Sequence, residues 1–185
     1  MIDDTMLEAE DKMEKAVEVA KEDFATIRTG RANAAMFTKL TVDYYGSQTP
    51  LQQLASFHIP EARTILITPF DKSAMGEIER TLRDSNLGVN PNSDGAVIRI
   101  NLPQLTEERR KEYIKLARTK AEEAKVSIRN IRRKAKEELD HLVKGGDIGE
   151  DEGGRAEKEL EIFTKKHVEN VDAILKVKEG ELLDV

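Results

Sequence analysis

The side chains of this chain that could carry out chemistry are few and poorly spaced for catalysis. The three histidines, His58, His141 and His167, fall in unrelated segments. His167 shares an apolar seam with Leu160, Phe163, Val171 and Ile174, which is the setting of a structural histidine. No glycine-rich phosphate loop ends in Lys-Ser or Lys-Thr. The acidic, glycine-rich run from Asp147 to Glu159 invites comparison with a calcium loop. Its third position would be Gly149 and its sixth Glu152, so the EF-hand pattern fails. The acids there read instead as favourable charges at a helix N-terminus. The absence of cysteine excludes disulfides and thiolate metal sites and fits a reducing compartment. The sequence therefore predicts no enzyme, no metal site and no cofactor.

A different chemistry is concentrated between Thr106 and Lys144. Lys115, Arg118, Lys125, Arg129, Arg132 and Lys136 recur at helical spacing, with Glu122 the one acid in the row and Arg133 widening it. From Arg109 to Lys136 there are 12 basic and 3 acidic residues, in a chain whose net charge is −6. Such a stripe is a local positive field and points to a polyanion. Arg129, Arg132 and Arg133 lie within about one turn, and arginine forks grip phosphate bidentately where lysine cannot. Aromatic side chains for base stacking are missing from this face apart from Tyr113. The expected mode is recognition of the backbone and shape of structured RNA or DNA. The competing reading is a solvated face whose cations pair with acids on neighbouring helices.

The element that carries the stripe is a helix. Ile114, Ala117, Ala121, Ala124, Ile128, Ile131, Ala135, Leu139 and Leu142 step by three and four without a break. Thr106 is placed as N-cap with Glu107 and Glu108 in the first turn. No Pro or Gly intervenes before Gly145-Gly146, so the rod is roughly 55–60 Å long. A second helix is predicted over residues 2–28, with Met6, Ala9, Met13, Val17, Ala20, Phe24 and Ile27 inward and Gly30 as its C′ residue. A third is predicted from about Glu150 to Lys178, following a flexible connection at 144–149 and fraying at Gly153-Gly154. Lone amphipathic helices are unstable in water, so the three are expected to form a bundle.

Between residues 31 and 105 the period changes. Leu40, Val42 and Tyr44 alternate with polar residues, and Tyr45-Gly46-Ser47 reads as a turn. Weaker strands are expected at Thr49–Leu54 and Phe57–Ile59, and a buried one at Thr64–Thr68. Asp71 or Ser73 caps a short helix bearing Met75, Ile78 and Leu82. Asn90 to Gly95 is dense in turn residues, and Ala96–Asn101 is the last strand. The fold class is therefore two-domain α+β. A discontinuous three-helix bundle, 1–30 and 106–185, carries an inserted α+β domain at 31–105. Two short tethers join them as a hinge, Thr29, Gly30 and Arg31 on one side and Pro103, Gln104 and Leu105 (103–106) on the other.

Charge is distributed unevenly over these parts. Residues 106–144 carry 13 basic and 8 acidic groups, whereas 1–30 carry 4 and 9 and 145–185 carry 6 and 12. Only the long helix suits nucleic acid. The N-terminus is acidic and lacks an apolar signal core, and no run reaches membrane-spanning length. A cytoplasmic monomer with no membrane partner is expected.

Several segments together carry a resemblance. Thr29-Gly30-Arg31-Ala32, Tyr44-Tyr45-Gly46 with Pro50-Leu51, Leu87-Gly88-Val89-Asn90-Pro91-Asn92, Leu105-Thr106-Glu107-Glu108-Arg109-Arg110-Lys111 and Arg129-Asn130-Ile131-Arg132-Arg133 run in one order across the whole chain. In this the chain resembles the bacterial ribosome recycling factor family. The resemblance implies an L-shaped, tRNA-sized molecule with a β/α/β sandwich domain at the elbow of the bundle. It implies binding to the ribosome left on messenger RNA after termination and, with elongation factor G and GTP, dissociation into subunits. By the same resemblance Arg110, Arg129, Arg132 and Arg133 contact large-subunit ribosomal RNA. The stripe adds Arg118 and Lys125 as candidates. The glycines at 145–146 and 153–154 depart from the more charged sequences typical of the family there. The alternative function is a helical adaptor whose basic stripe docks an acidic partner protein.

Overall fold

The computed structural model describes residues 1–184. In chain order the elements are α1 (Ile2–Thr26), β1 (Thr41–Tyr44), β2 (Ser47–Pro50), α2 (Leu51–Leu54), β3 (Ala55–Glu61), β4 (Thr64–Pro69), α3 (Met75–Asp84), β5 (Pro91–Asp94), β6 (Val97–Asn101), α4 (Glu107–Lys144) and α5 (Glu150–Leu183). They divide into two compact units. The first is Met1–Phe24 with Ile114–Gly180, and the second is Ala25–Tyr113 with the residues from Glu181 onward.

The first unit is helical throughout. Each helix buries the seam that its spacing predicts: Met6, Ala9, Met13, Val17 and Ala20 on α1, Ala117, Ala121, Ile128, Ala135 and Leu139 on α4, and Leu160, Phe163, His167 and Val171 on α5. Met13, Ile128 and Leu160 are fully enclosed, and each such side chain contributes about 1.5–3 kcal/mol relative to exposure. His167 is structural. Its Nδ1 lies 2.6 Å from the Phe163 carbonyl, which can only accept, so Nδ1 carries the proton.

Helix α4 starts as expected, with the Arg109 amide donating to Thr106 Oγ1 at 3.1 Å. Its end differs from the expectation of a flexible link. Gly146 takes φ +76°. Its amide donates to the Val143 carbonyl, and the Asp147 amide donates to that of Leu142. These two bonds form a Schellman motif that uses up orphan carbonyls and sets the turn. Helix α5 runs without a break from Glu150 through Gly153-Gly154 to Leu183. Gly153 is buried, and a Cβ built on it would lie 2.6 Å from Val143 Cγ2. Close packing of α5 on α4 therefore explains this glycine, whereas Gly154 faces open space.

The second unit contains a four-stranded antiparallel sheet in the order β3-β4-β6-β5 and a separate β1-β2 hairpin. Phe37, Val42, Leu51, Ile65, Ile67, Ile78, Leu82, Ile98 and Ile100 form its core. The hairpin turns through Tyr45 (φ +49°) and Gly46 (φ +82°). Both central residues are left-handed, so the turn matches the twist of its strands.

Three sequence expectations change in this unit. Leu51–Leu54 is a single helical turn rather than the end of a strand, because Leu51 and Leu54, three apart, both point into the core. Pro91–Asp94 forms strand β5 rather than turn alone. It lies at the edge of the sheet, where a proline is tolerated. Helix α1 stops at Thr26, and Gly30 has no positive φ and so is not its left-handed cap.

Candidate nucleic-acid interface

The register of α4 decides which cations face outward. Its buried seam turns towards α1 and α5, and the residues one position further on rise along the border with α5. There they meet acids. Arg118 Nε donates to Glu179 Oε1 at 2.7 Å, Lys125 contacts Asp172, Arg132 Nη1 donates to Glu161 Oε1 at 2.7 Å, and Lys136 lies 3.5 Å from Glu157. Arg118, Lys125 and Arg132 are spaced by seven, so each reaches α5 two turns beyond the last. Their partners run backwards along the chain, as antiparallel helices require. Pairing with a neighbouring helix, the competing reading of the stripe, therefore accounts for Arg118, Lys125, Arg132 and Lys136.

The rungs of this ladder are unequal. The Lys125 side chain is only 13% exposed and also lies 3.3 Å from Glu122. Its hydrogen bond to Asp172, despite the opposing effect of burial, holds its pKa above the ordinary lysine value, with Glu122 adding to the rise. Lys125 is thus committed to the bundle. Arg118 is largely exposed on the solvent side of its partner. Arg132 is intermediate, at 32% exposure, and touches Glu161 through one nitrogen only.

One turn outside the ladder the situation changes. Arg129 and Arg133, four residues apart, are both exposed and form no ion pair among the described residues. Their guanidinium groups face solvent on the same side of α4. Arg129 and Arg132 also form one wall of an open groove of about 600 Å³ whose other wall is α5. This is a surface of unspent arginine donors, suited to phosphate oxygens and without an aromatic platform for bases.

The remaining sequence candidates lie in the second unit. Arg110 is half-buried and lines a cavity of about 760 Å³ together with Arg31 and Arg63. Thr29, Gly30, Gln104 and Leu105 line the same cavity. The residues next to both predicted tethers bond to the β3–β4 turn: the Ala32 amide donates to the Ala62 carbonyl at 2.6 Å, and the Leu102 amide to the Arg63 carbonyl at 2.7 Å. Sequence reasoning missed Arg28. It is 95% buried, and its Nη2 donates to the Pro103 carbonyl, tying one tether to the other. Burial, more than any neighbour, pulls its pKa below the ordinary value. A lone arginine one residue past an apolar helix position gave no signal of this in the sequence.

A family model for the ribosome recycling factor matches residues 20–183. The chain belongs to the ribosome recycling factor family. It is 74% identical to the ribosome-recycling factor of Kineococcus radiotolerans and 69% identical to that of Pseudarthrobacter chlorophenolicus, in each case over 185 residues and the full length of both chains. Its fold is similar to a solution structure of the ribosome recycling factor, with a TM-score of 0.79 at 41% identity, covering 100% of this chain and 98% of that one. It is also similar, with a TM-score of 0.70 at 41% identity and full coverage of both chains, to a structure describing models of the Thermus thermophilus ribosome recycling factor and the Escherichia coli elongation factor G bound to the E. coli post-termination complex. As a ribosome recycling factor the chain is a translation factor and not an enzyme.

Proposed function

We propose that this ribosome recycling factor binds the post-termination ribosome through the outer face of α4 and, with elongation factor G and GTP, promotes its dissociation into subunits and its release from messenger RNA. The observation that carries the binding surface is the pair Arg129 and Arg133, exposed and without an ion pair among the described residues, on a helix whose Arg118, Lys125, Arg132 and Lys136 are held by α5. Arg132, Arg118 and Arg110 complete the proposed contact set for large-subunit ribosomal RNA. The proposed compartment is the cytoplasm. No described helix is long and apolar enough to cross a membrane.

The proposal includes motion. The bundle, 1–30 with 106–185, anchors on RNA, and the domain at 31–105 moves about the tethers near 29–31 and 103–106. Support comes from the division of the chain into two compact units, whose boundaries after Phe24 and Tyr113 lie a few residues to the helical side of the proposed tethers. One engineered cysteine in each unit, joined by oxidation, should leave ribosome binding intact and stop subunit splitting until reductant is added.

The binding surface is tested by pelleting with 70S ribosomes across a salt series. Arg129→Ala and Arg133→Ala should each weaken binding by about 1–3 kcal/mol, the range for hydrogen bonds to charged groups. Each should also flatten the salt dependence, since fewer counterions are then released on binding. Lys39→Ala, on the second unit, serves as control. Variants that bind like this control at every salt concentration would remove the α4 face from the interface.

A further inference from the structure

The groove between α4 and α5 has a lopsided charge. Arg129 and Arg132 stand on one wall and Lys165 on the other, and Glu161 is the single carboxylate among the lining residues. Ile162, 71% exposed, adds an apolar lip. A groove lined by three cations and one anion suits a phosphate of an RNA strand, except that Glu169, outside the lining, lies 4.0 Å from the exposed Lys165, and Glu161 already occupies Arg132.

The nature of that contact matters. Arg132 offers five N–H donors, and Glu161 engages Nη1 alone. The Glu161 side chain is 55% exposed, so water reaches the pair and screens it. An exposed, single-point ion pair is weak, and a phosphate that meets the guanidinium bidentately displaces it. The Lys125 rung differs, since that lysine is nearly enclosed and held by two acids. Arg132 is therefore the ladder member on the groove that can exchange its partner.

We infer that Glu161 sets the ribosome affinity of this factor by competing with an RNA phosphate for Arg132: free in solution, the protein holds the guanidinium in the groove through Glu161, and RNA binding replaces that carboxylate. The inference rests on the reading of Arg132 as an RNA contact and adds to it a residue of α5. A factor that must leave the ribosome after each cycle gains from a built-in competitor, because the carboxylate recaptures the arginine as the phosphate withdraws.

The test is a double-mutant cycle read as affinity for 70S ribosomes. Glu161→Gln keeps the side-chain shape and removes the charge. It should tighten binding about two- to fivefold, matching the strength of an exposed ion pair. In an Arg132→Ala background the same substitution should produce no gain. Glu159→Gln, two residues away on another face of α5, controls for net charge and should change affinity less than Glu161→Gln. A gain that survives in the Arg132→Ala background, or that Glu159→Gln reproduces, would mean that only the general field changed and would overturn the inference. Weaker binding by Glu161→Gln would overturn it too, by making the carboxylate a support for Arg132 and not a rival. If Arg132→Ala alone leaves affinity unchanged, the reading of Arg132 as an RNA contact fails first, while the Arg129 and Arg133 tests remain independent of it.

Discussion

Replacing each of the paired glycines near the start of α5 with alanine should affect stability differently, with a gain at Gly154 alone. In a helix, Ala is favoured over Gly by about 1 kcal/mol. At Gly154, where a Cβ meets nothing within 4 Å, this gain should appear almost whole, and Gly154→Ala should stabilise by about 0.5–1 kcal/mol. At Gly153 the new Cβ would lie 2.6 Å from Val143 Cγ2. Carbon atoms rest at roughly 3.5–4.0 Å, so one side must withdraw by about 1 Å. Val143 cannot swing aside freely, because a β-branched side chain in a helix has one strongly preferred rotamer. Overpacking of this kind costs about 1–3 kcal/mol, which offsets the propensity gain and leaves Gly153→Ala between neutral and about 2 kcal/mol destabilised. Thermal and urea unfolding followed by far-UV circular dichroism reads this directly, since the long helices dominate the signal. In a protein of this size each kcal/mol moves the midpoint by about 2–4 °C. Val143→Ala should restore the benefit of alanine at 153. If Gly153→Ala raises the midpoint as much as Gly154→Ala does, the close approach of α5 to α4 is not what selects this glycine.

Two further outcomes follow from particular contacts. The Asp71 carboxylate accepts from the Tyr44 hydroxyl at 2.7 Å and from the Ser73 hydroxyl and amide, and these bonds, Tyr44 first, hold its pKa down at about 2. A depressed folded-state pKa contributes stability above the ordinary aspartate value that is lost as pH falls from about 4 to about 2; Asp71→Asn should flatten acid unfolding in that window, and Tyr44, pushed up to about 12 chiefly by its bond to Asp71, should titrate lower by ultraviolet absorbance. Lys125→Ala should lower stability by about 1 kcal/mol by removing its ion pair with Asp172 and the packing of its enclosed stem yet change ribosome affinity less than twofold; a loss matching that of Arg133→Ala would return Lys125 to the RNA contact set.

Sequence spacing made much of this visible, and the limits have physical causes. The α4 seam and its basic border follow from a 3.6-residue period that nothing interrupts, so their positions on the helix could be read directly. Which cations remain free could not, because that depends on the register of α5 against α4: Arg132 meets Glu161 while Arg129, three residues earlier, meets no acid among the described residues. The Gly153 contact was hidden for the same reason, since propensity sees only the helix itself. In the second unit, the strand expected at Thr49–Leu54 gives way to a helical turn because Leu51 and Leu54, three apart, share one face only in a helix. The composition of 90–95 signals a turn, and composition cannot show that β6 offers this run hydrogen-bond partners. Arg28 left no trace because its significance is the Pro103 carbonyl, 75 residues away.

Strand β5 has a consequence for how this protein behaves in a crowd of its own copies. The outer strands of an open sheet expose unpaired amides and carbonyls that can recruit a second chain and seed aggregation. Here β5 begins with Pro91, which lacks an amide proton, and continues through Asn92, Ser93 and Asp94, all exposed. The opposite outer strand, β3, loses its register between His58 and Glu61, around Pro60. Each border thus carries a proline, and one carries a bulge as well, so neither presents a long, flat, apolar template. The residues that made 90–95 look unlike a strand are the ones that keep it from pairing with the wrong one.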